Sequence, residues 1–300
     1  MGTGKLTISI DLELAWGVWD ILSAADLQMA ETSERPICAA LIDLFDRHQV
    51  RATWAIVAAL LDKSAAIGRP GKEACWYAPD IIERVVNSRV AHELGTHSGR
   101  HVYFNKISES EAGEDLAFAE AMHRANGFSF KSMVFPRNAV AHLGVLARHD
   151  LKTFRGPDAG WVRRAGRAGR RAAQVANYAD KFFPVPPSPV TAKDRGDLID
   201  IPGSMLLMGR NGPRRFVLPQ VTRAKLYMGL ERARHTEGIF HLWFHPSNFY
   251  YRRDEQLATL SWFLEHAANE ASRGRIEICT MESYAASAMT DDVSQRETSI

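Results

Sequence analysis

Cysteine is scarce in this chain: three residues in 300. Cys38, Cys75 and Cys279 are odd in number and widely spaced, which argues against a disulfide framework and fits a reducing compartment. Long apolar runs are also missing. No stretch reaches about 18 uninterrupted apolar residues, so no transmembrane segment is expected. The opening MGTGKLTISID has one lysine and then a strand-like run, without an apolar export core or a small-residue cleavage site, and the expected location is cytoplasmic. Charge of one sign is lacking as well. Lys and Arg number 37 against 35 Asp and Glu, so the net charge of +2 supplies no global field for a nucleic acid partner. What is present, 46% hydrophobic and 24% charged residues, suffices for one large α/β domain or two small ones.

Along the chain, strand and helix patterns alternate. Lys5–Asp11 is a β-branched, alternating run, and Pro36–His48 carries Ile37, Ala40, Leu41, Leu44 and Phe45 on one helical face. Arg51–Leu61 reads as a buried strand entering a helix, Pro79–Asn87 as a helix, and Glu93–Thr96 as a strand. Further strands are expected at Ser132–Phe135, Lys152–Phe154, Leu198–Ile201, Gly238–His245 and Ile276–Cys279, with helices at Glu109–Asn126, His142–His149, Gln220–Arg234, Gln256–Ala271 and Met281–Ala288. This rhythm is that of a parallel sheet or barrel with its chemistry at the strand C-terminal ends. One domain is expected over 1–290, interrupted by an Arg/Pro-rich insertion at about 159–196 and followed by a loose polar tail at 291–300.

Residues able to do chemistry fall where such a rim would be. HELGTHSGRH places His97 and His101 four apart just after a strand, and a first helical turn there would aim both imidazoles at one point. Two surface histidines on a turn would leave the same spacing, so the pair needs the rest of the chain to decide it. Asp11 and Glu13 lie two apart at the end of the first strand, either as a solvated strand end or as two carboxylates sharing a site among apolar neighbours. Arg137 and Arg155 also follow strands. His245 ends GIFHLWFH, as a rim residue or as a core histidine bonded to a carbonyl, and His241 fits the core reading better. In the insertion, Arg163, Arg164, Arg167, Arg170 and Arg171 share a helical face, which serves as a solvated surface or as a phosphate contact.

Taken in order, TISIDLE, HELGTHSGRH, FPRN, GPDAGW, LWFHP and TMESYA resemble the motifs of the polysaccharide deacetylase family, carbohydrate esterase family 4, over roughly Lys5 to Ala288. The resemblance implies an α/β fold, a distorted (β/α) barrel of about seven strands, with one divalent metal ion held by a carboxylate and two histidines. Carried over residue by residue, Glu13, His97 and His101 bind the metal, Asp11 is the general base and His245 the general acid. Arg137 would orient Asp11 through an ion pair, with Arg155 as its rival. Arg155, Asn138, Trp16 and Asn248 are expected to meet substrate. This chain departs from the family pattern in three places: Asp-Leu-Glu replaces an adjacent acid pair, the arginine follows its proline, and Asp158 and Trp161 match the Asp/Trp motif only loosely.

Ligation by two histidines and a carboxylate suits zinc, with nickel, cobalt or iron as alternatives. The expected reaction is hydrolysis of an N-acyl, foremost an N-acetyl, group on a sugar or glycoconjugate, nucleotide- or lipid-linked, in intracellular glycan biosynthesis. A deformylase or ring amidohydrolase would use the same residues. A non-enzymatic glycan-binding protein on this fold should lack at least one of them.

Overall fold

The computed structural model describes residues 3–158, 169, 180 and 182–297, so the Arg163–Arg171 run lies outside the described residues. In chain order it runs β1 (Gly4–Leu12), α1 (Ala24–Thr32), α2 (Glu34–His48), β2 (Thr53–Ile56), α3 (Pro79–Val86), β3 (Glu93–Thr96), α4 (Glu109–Ala125), β4 (Ser132–Val134), α5 (Leu143–Arg148) and β5 (Thr153–Arg155). There follow β6 (Lys193–Asp194), β7 (Ile199–Asp200), β8 (Met205–Leu206), α6 (Pro219–Thr236), β9 (Ile239–Phe244), α7 (Arg253–Ser272), β10 (Ile276–Cys279) and α8 (Met281–Glu297).

Alternation within β1 creates the two layers. Leu6, Ile8, Ile10 and Leu12 point outward and are fully buried against Ile37, Leu41 and Phe45 of α2, Leu226 and Leu230 of α6, and Leu260 and Phe263 of α7. Each such side chain contributes about 1.5–3 kcal/mol on burial. Thr7, Ser9 and Asp11 point the other way, into a polar interior. The strands lie in the order β6-β7-β5-β4-β3-β2-β1-β9-β8, all neighbours parallel except β6 with β7. The result is a curled parallel sheet, a half-barrel, in which β6, β7 and β8 have only two residues each. Of the described strands, only β6 and β8 are not anticipated by the sequence pattern; β7 lies within the expected Leu198–Ile201 strand.

The first strand is shared unusually. β9 runs along one edge of it, while the other edge is divided, Gly4–Thr7 pairing with β10 and Ser9–Leu12 with β2. At the far ends of the sheet one short segment spans the gap. The Ile201 and Gly203 N–H groups donate to Phe154 and Gly156 at 3.0 and 3.2 Å, and the next N–H, of Ser204, donates to His241 on β9 at 2.9 Å. Gly203 is confined there: a Cβ would stand 2.0 Å from the Asp158 carboxylate. Below, α8 enters the barrel floor. Its Met281 and Glu282 N–H groups donate to Thr53 Oγ1 and Glu93 Oε2 at 2.9 and 3.0 Å, filling the bonding need of a helix start.

Three differences from the sequence expectation have physical reasons. The closing helix runs on to Glu297, into the stretch expected as a loose tail, because no Gly or Pro interrupts it. The end of the anticipated insertion joins the sheet, Val190 bridging Ile239 and β6 pairing with β7. α1 carries too little apolar periodicity to be seen, but Ser23 and Asp26 form a capping box that starts it. Among the described residues no helix is long and apolar enough to cross a membrane, and the three cysteines are buried and unpaired.

Candidate metal and catalytic site

β1 ends at Leu12, and Leu14, with φ of 45°, turns the chain sharply into a short 3-10 segment, Leu14–Val18. Left-handed backbone at leucine costs roughly 1–2 kcal/mol. The turn folds the Glu13 carboxylate over Gly17, where a Cβ would come within 2.2 Å of it, so Gly17 admits no side chain. Asp11 and Glu13 thereby reach one site from a strand and from the turn after it.

The expected helical turn after β3 is not formed. Ser98 and His101 have φ of 68° and 57°, and the loop between them is pinned from α4: Gly99 and Arg100 donate their N–H groups to Asp115 at 2.7 and 2.9 Å. Both imidazoles still converge, with ring centroids 5.1 Å apart. Half of the ten non-glycine residues with positive φ among those described, Leu14, Ser98, His101, Arg137 and Asn138, surround this rim, so backbone strain is concentrated here.

Glu13, His97 and His101 each offer a ligand atom, all within 4.8 Å of one another. Glu13 Oε2 is 2.8 Å from His101 Nε2 and 3.3 Å from His97 Nε2. His97 Nδ1 donates to the Val134 carbonyl at 2.8 Å, which leaves its Nε2 lone pair facing Glu13. That buried Nε2 has no hydrogen bond among the described residues, as a ligand atom awaiting a cation should. Burial lowers the pKa of His101, favouring the neutral form that ligation requires. Burial also pushes the Glu13 carboxyl up, but the adjacent His245 and His101 imidazoles outweigh it and hold the group well below its ordinary range. The donor set fits a divalent metal ion.

Beside it, Asp11 is gripped by Arg155. Nη1 and Nη2 donate to Oδ1 and Oδ2 at 2.7 and 2.6 Å, and both residues are about 1% exposed. Burial opposes ionisation of Asp11, yet Arg155, then His245 and His97, hold its carboxyl below the usual value. His245 Nε2 stands 3.5 Å from Asp11 Oδ2 and 3.3 Å from Glu13 Oε1, with its side chain 23% exposed.

Three sequence expectations, for Arg137, Arg155 and Trp16, are corrected in their contacts. The Arg137 ion pair with Asp11 does not form: that arginine lies past β4 in left-handed backbone and bonds Gly17 O at 3.1 Å and Asp20 at 3.5 Å. Arg155, expected at substrate and as the rival partner of Asp11, has the second of these places: it is inside the barrel, stacked on Trp243 at 4.2 Å and bonded to Asn138 at 3.4 Å, because it sits within β5 on the inward register. Trp16 is a core residue, 1% exposed, its indole N–H satisfied by the Trp76 carbonyl at 2.9 Å. Asn248 accepts the His245 backbone N–H at 2.9 Å, which steadies that histidine, and also lines a cavity of about 230 Å³ beside Glu13. Leu14, Met29, Asn211, Arg214 and Tyr250 complete much of that cavity's wall.

Sequence reasoning missed Asp115 and Trp243 as parts of the site, and it gave Asp158, in the GPDAGW motif, no role. Trp243 donates its indole N–H to Asp158 at 2.9 Å. Asp115 had a local signal: an acid placed on the buried face of α4 beside Ala112, Leu116 and Ala119.

Residues 29–153 match the family described as polysaccharide deacetylase; that span includes His97, His101 and Arg137. Comparison with curated protein sequences finds no match. Among solved structures, a Mycobacterium smegmatis protein assigned to the polysaccharide deacetylases is 14% identical with a TM-score of 0.69, covering 97% of this chain and 92% of its own. An allantoinase, Puue, is 13% identical with a TM-score of 0.62, covering 94% and 89%. A Bacillus anthracis protein described as a carbohydrate esterase family 4 pseudoenzyme is 11% identical with a TM-score of 0.50, covering 94% and 66%. At these identities the likeness is one of fold.

Proposed function

We propose that this chain, a member of the polysaccharide deacetylase family, is a metal-dependent hydrolase that removes an N-acyl, foremost an N-acetyl, group from a sugar or glycoconjugate. The observation that carries this reading is the convergence of Glu13, His97 and His101 on one point beside Asp11 and His245. A divalent cation held by the three ligands, zinc first by donor set, supplies Lewis acidity to the amide carbonyl and the attacking water.

Asp11 is the base and accepts a proton from the attacking water. Its pairing with Arg155 keeps it ionised and fixed in orientation, so the carboxylate is ready at neutral pH. His245 protonates the leaving amine as the C–N bond breaks, and its partial exposure lets it recover a proton from solvent. Arg137, with its side chain 47% exposed, and the cavity beside Glu13 provide the substrate seat. The intracellular, nucleotide- or lipid-linked sugar remains the favoured substrate class within this reading.

The likeness to an allantoinase supports a second reading, a ring amidohydrolase using the same acid, base and ligands. A catalytically silent relative on this fold is also known among the similar structures, but here all five site residues are present. The test is elemental mass spectrometry beside turnover. The purified protein should hold about one divalent ion per chain and release acetate from an N-acetyl sugar panel. His97→Ala/His101→Ala should lose both, and Asp11→Asn should keep the ion and lose turnover. Absence of any ion after reconstitution, or an active Asp11→Asn enzyme, would sink the mechanism; turnover of cyclic amides alone would select the second reading.

A further inference from the structure

Behind Asp11 and Arg155 lies a buried chain of hydrogen bonds that the catalytic reading does not use. Its members, Ser9 and His241, are fully buried on adjacent strands, β1 and β9. His241 Nδ1 is 3.2 Å from the Ile201 carbonyl, which can only accept, so Nδ1 carries the hydrogen. His241 Nε2 then presents a lone pair, 2.9 Å from Ser9 Oγ, and the Ser9 hydroxyl donates to it. With its hydrogen committed, Ser9 Oγ accepts from Arg155 Nη1 at 3.0 Å. The same Nη1 donates onward to Asp11. Every link has one permitted direction.

We infer that Ser9 and His241 are positioning residues for the catalytic base, acting through Arg155 and anchored at the Ile201 carbonyl. This rests on the reading of Asp11 as the base. The need for such a device follows from the surroundings of Arg155. Its guanidinium is stacked on Trp243 and could slide in the plane of that ring, while its Nε has no partner among the described residues. Ser9 supplies the lateral stop that fixes the plane and rotation of the fork. Among the described residues Asp11 takes hydrogen bonds from Arg155 alone, so whatever fixes the fork fixes the carboxylate.

The histidine suits the task because it is an acceptor without charge. Burial first, then the neighbouring Arg155, pull its pKa down to about 3, so it stays neutral at working pH and does not repel the guanidinium. A lysine or arginine could not accept from Ser9, and an aliphatic residue would leave the hydroxyl free to turn toward Asp11. The chain ends in the 201–204 segment that spans the two ends of the sheet, so closure of the barrel and orientation of the base are one arrangement.

The test uses the metal-loaded enzyme. Ser9→Ala should lower kcat roughly ten- to a hundred-fold, the cost of a small misplacement of a reacting group. KM and metal content should stay unchanged. Ser9→Thr, which retains the hydroxyl, should restore most of the rate. His241→Phe should match Ser9→Ala, and the double variant should be no worse than either. In the wild type, 15N NMR should find His241 protonated at Nδ1 and bare at Nε2 from pH 5 to 8. An Nε2–H tautomer, or Ser9→Ala with full kcat, overturns the inference. Turnover by Asp11→Asn with the Nδ1–H tautomer intact would instead remove the base assignment and leave the buried chain as core structure alone.

Discussion

Arg155 and Arg137 both follow strand ends, and only the direction of the side chain separates them. Arg155 is a buried cation with one carboxylate partner. Arg155→Met should therefore cost roughly 3–5 kcal/mol in urea denaturation, since Asp11 is left buried and unpaired. Adding Asp11→Asn should recover much of that loss. Arg137→Ala, at an exposed rim position, should stay within about 0.5 kcal/mol of wild type and show itself in KM instead. From sequence the two were interchangeable, because register within a three-residue strand and a left-handed turn beyond one leave no local mark. The convergence of His97 and His101 was legible because their spacing and the strand before them are local features. Trp16 misled for the opposite reason: next to the acids in sequence, it is turned away by Leu14 into the core. Glu34 shows what burial does to a lone acid. It is 1% exposed, receives the Tyr250 hydroxyl, and is raised by burial, against that hydrogen bond, from 4.5 to about 7. The native state thus holds its proton more tightly than the unfolded chain. The stability from this group is full below about pH 4.5 and declines as pH rises to about 7, by roughly 3 kcal/mol in all. Glu34→Gln should be more stable than wild type at pH 8 and nearly equal to it at pH 5, as read from urea midpoints at the two values.

At the scale of elements, the His97–His101 loop depends on a helix further along the chain. The Asp115 carboxylate of α4 takes two N–H groups of the loop that carries His97 and His101. Asp115→Ala would leave both donors without their partner, at about 1–3 kcal/mol each where water cannot reach. Metal affinity, measured by chelator competition, should fall about ten- to a hundred-fold while secondary structure by circular dichroism is retained. An unchanged affinity would show that the loop holds its own shape. The same dependence explains why His-x3-His suggested a helical turn that the chain does not make. Helical spacing brings two rings together, and so do two left-handed residues tied to an outside anchor; the spacing cannot tell them apart. α1 and the two-residue strands β6 and β8 were invisible for a related reason, since their ends are set by partners and not by their own periodicity.

For the whole molecule, the alternation of strand and helix patterns was enough to indicate a parallel sheet or barrel and to put Asp11, His97, Arg155 and His245 at strand ends. Its closure was not legible. Residues 201–204 contribute backbone donors to two strands, and backbone donors are the same in every sequence. The divided edge of β1 has a consequence for synthesis. Lys5 and Thr7 meet Glu277 and Cys279, partners 272 residues further along the chain. At about 5–20 residues per second, tens of seconds separate their emergence from the ribosome. During that interval β1 can hold only β2, and both the β9 and β10 positions beside it are open. The strand that carries Asp11 precedes its β9 and β10 partners by more than 200 residues, so the nascent chain must keep an apolar, half-paired strand from other partners until β9 and β10 arrive.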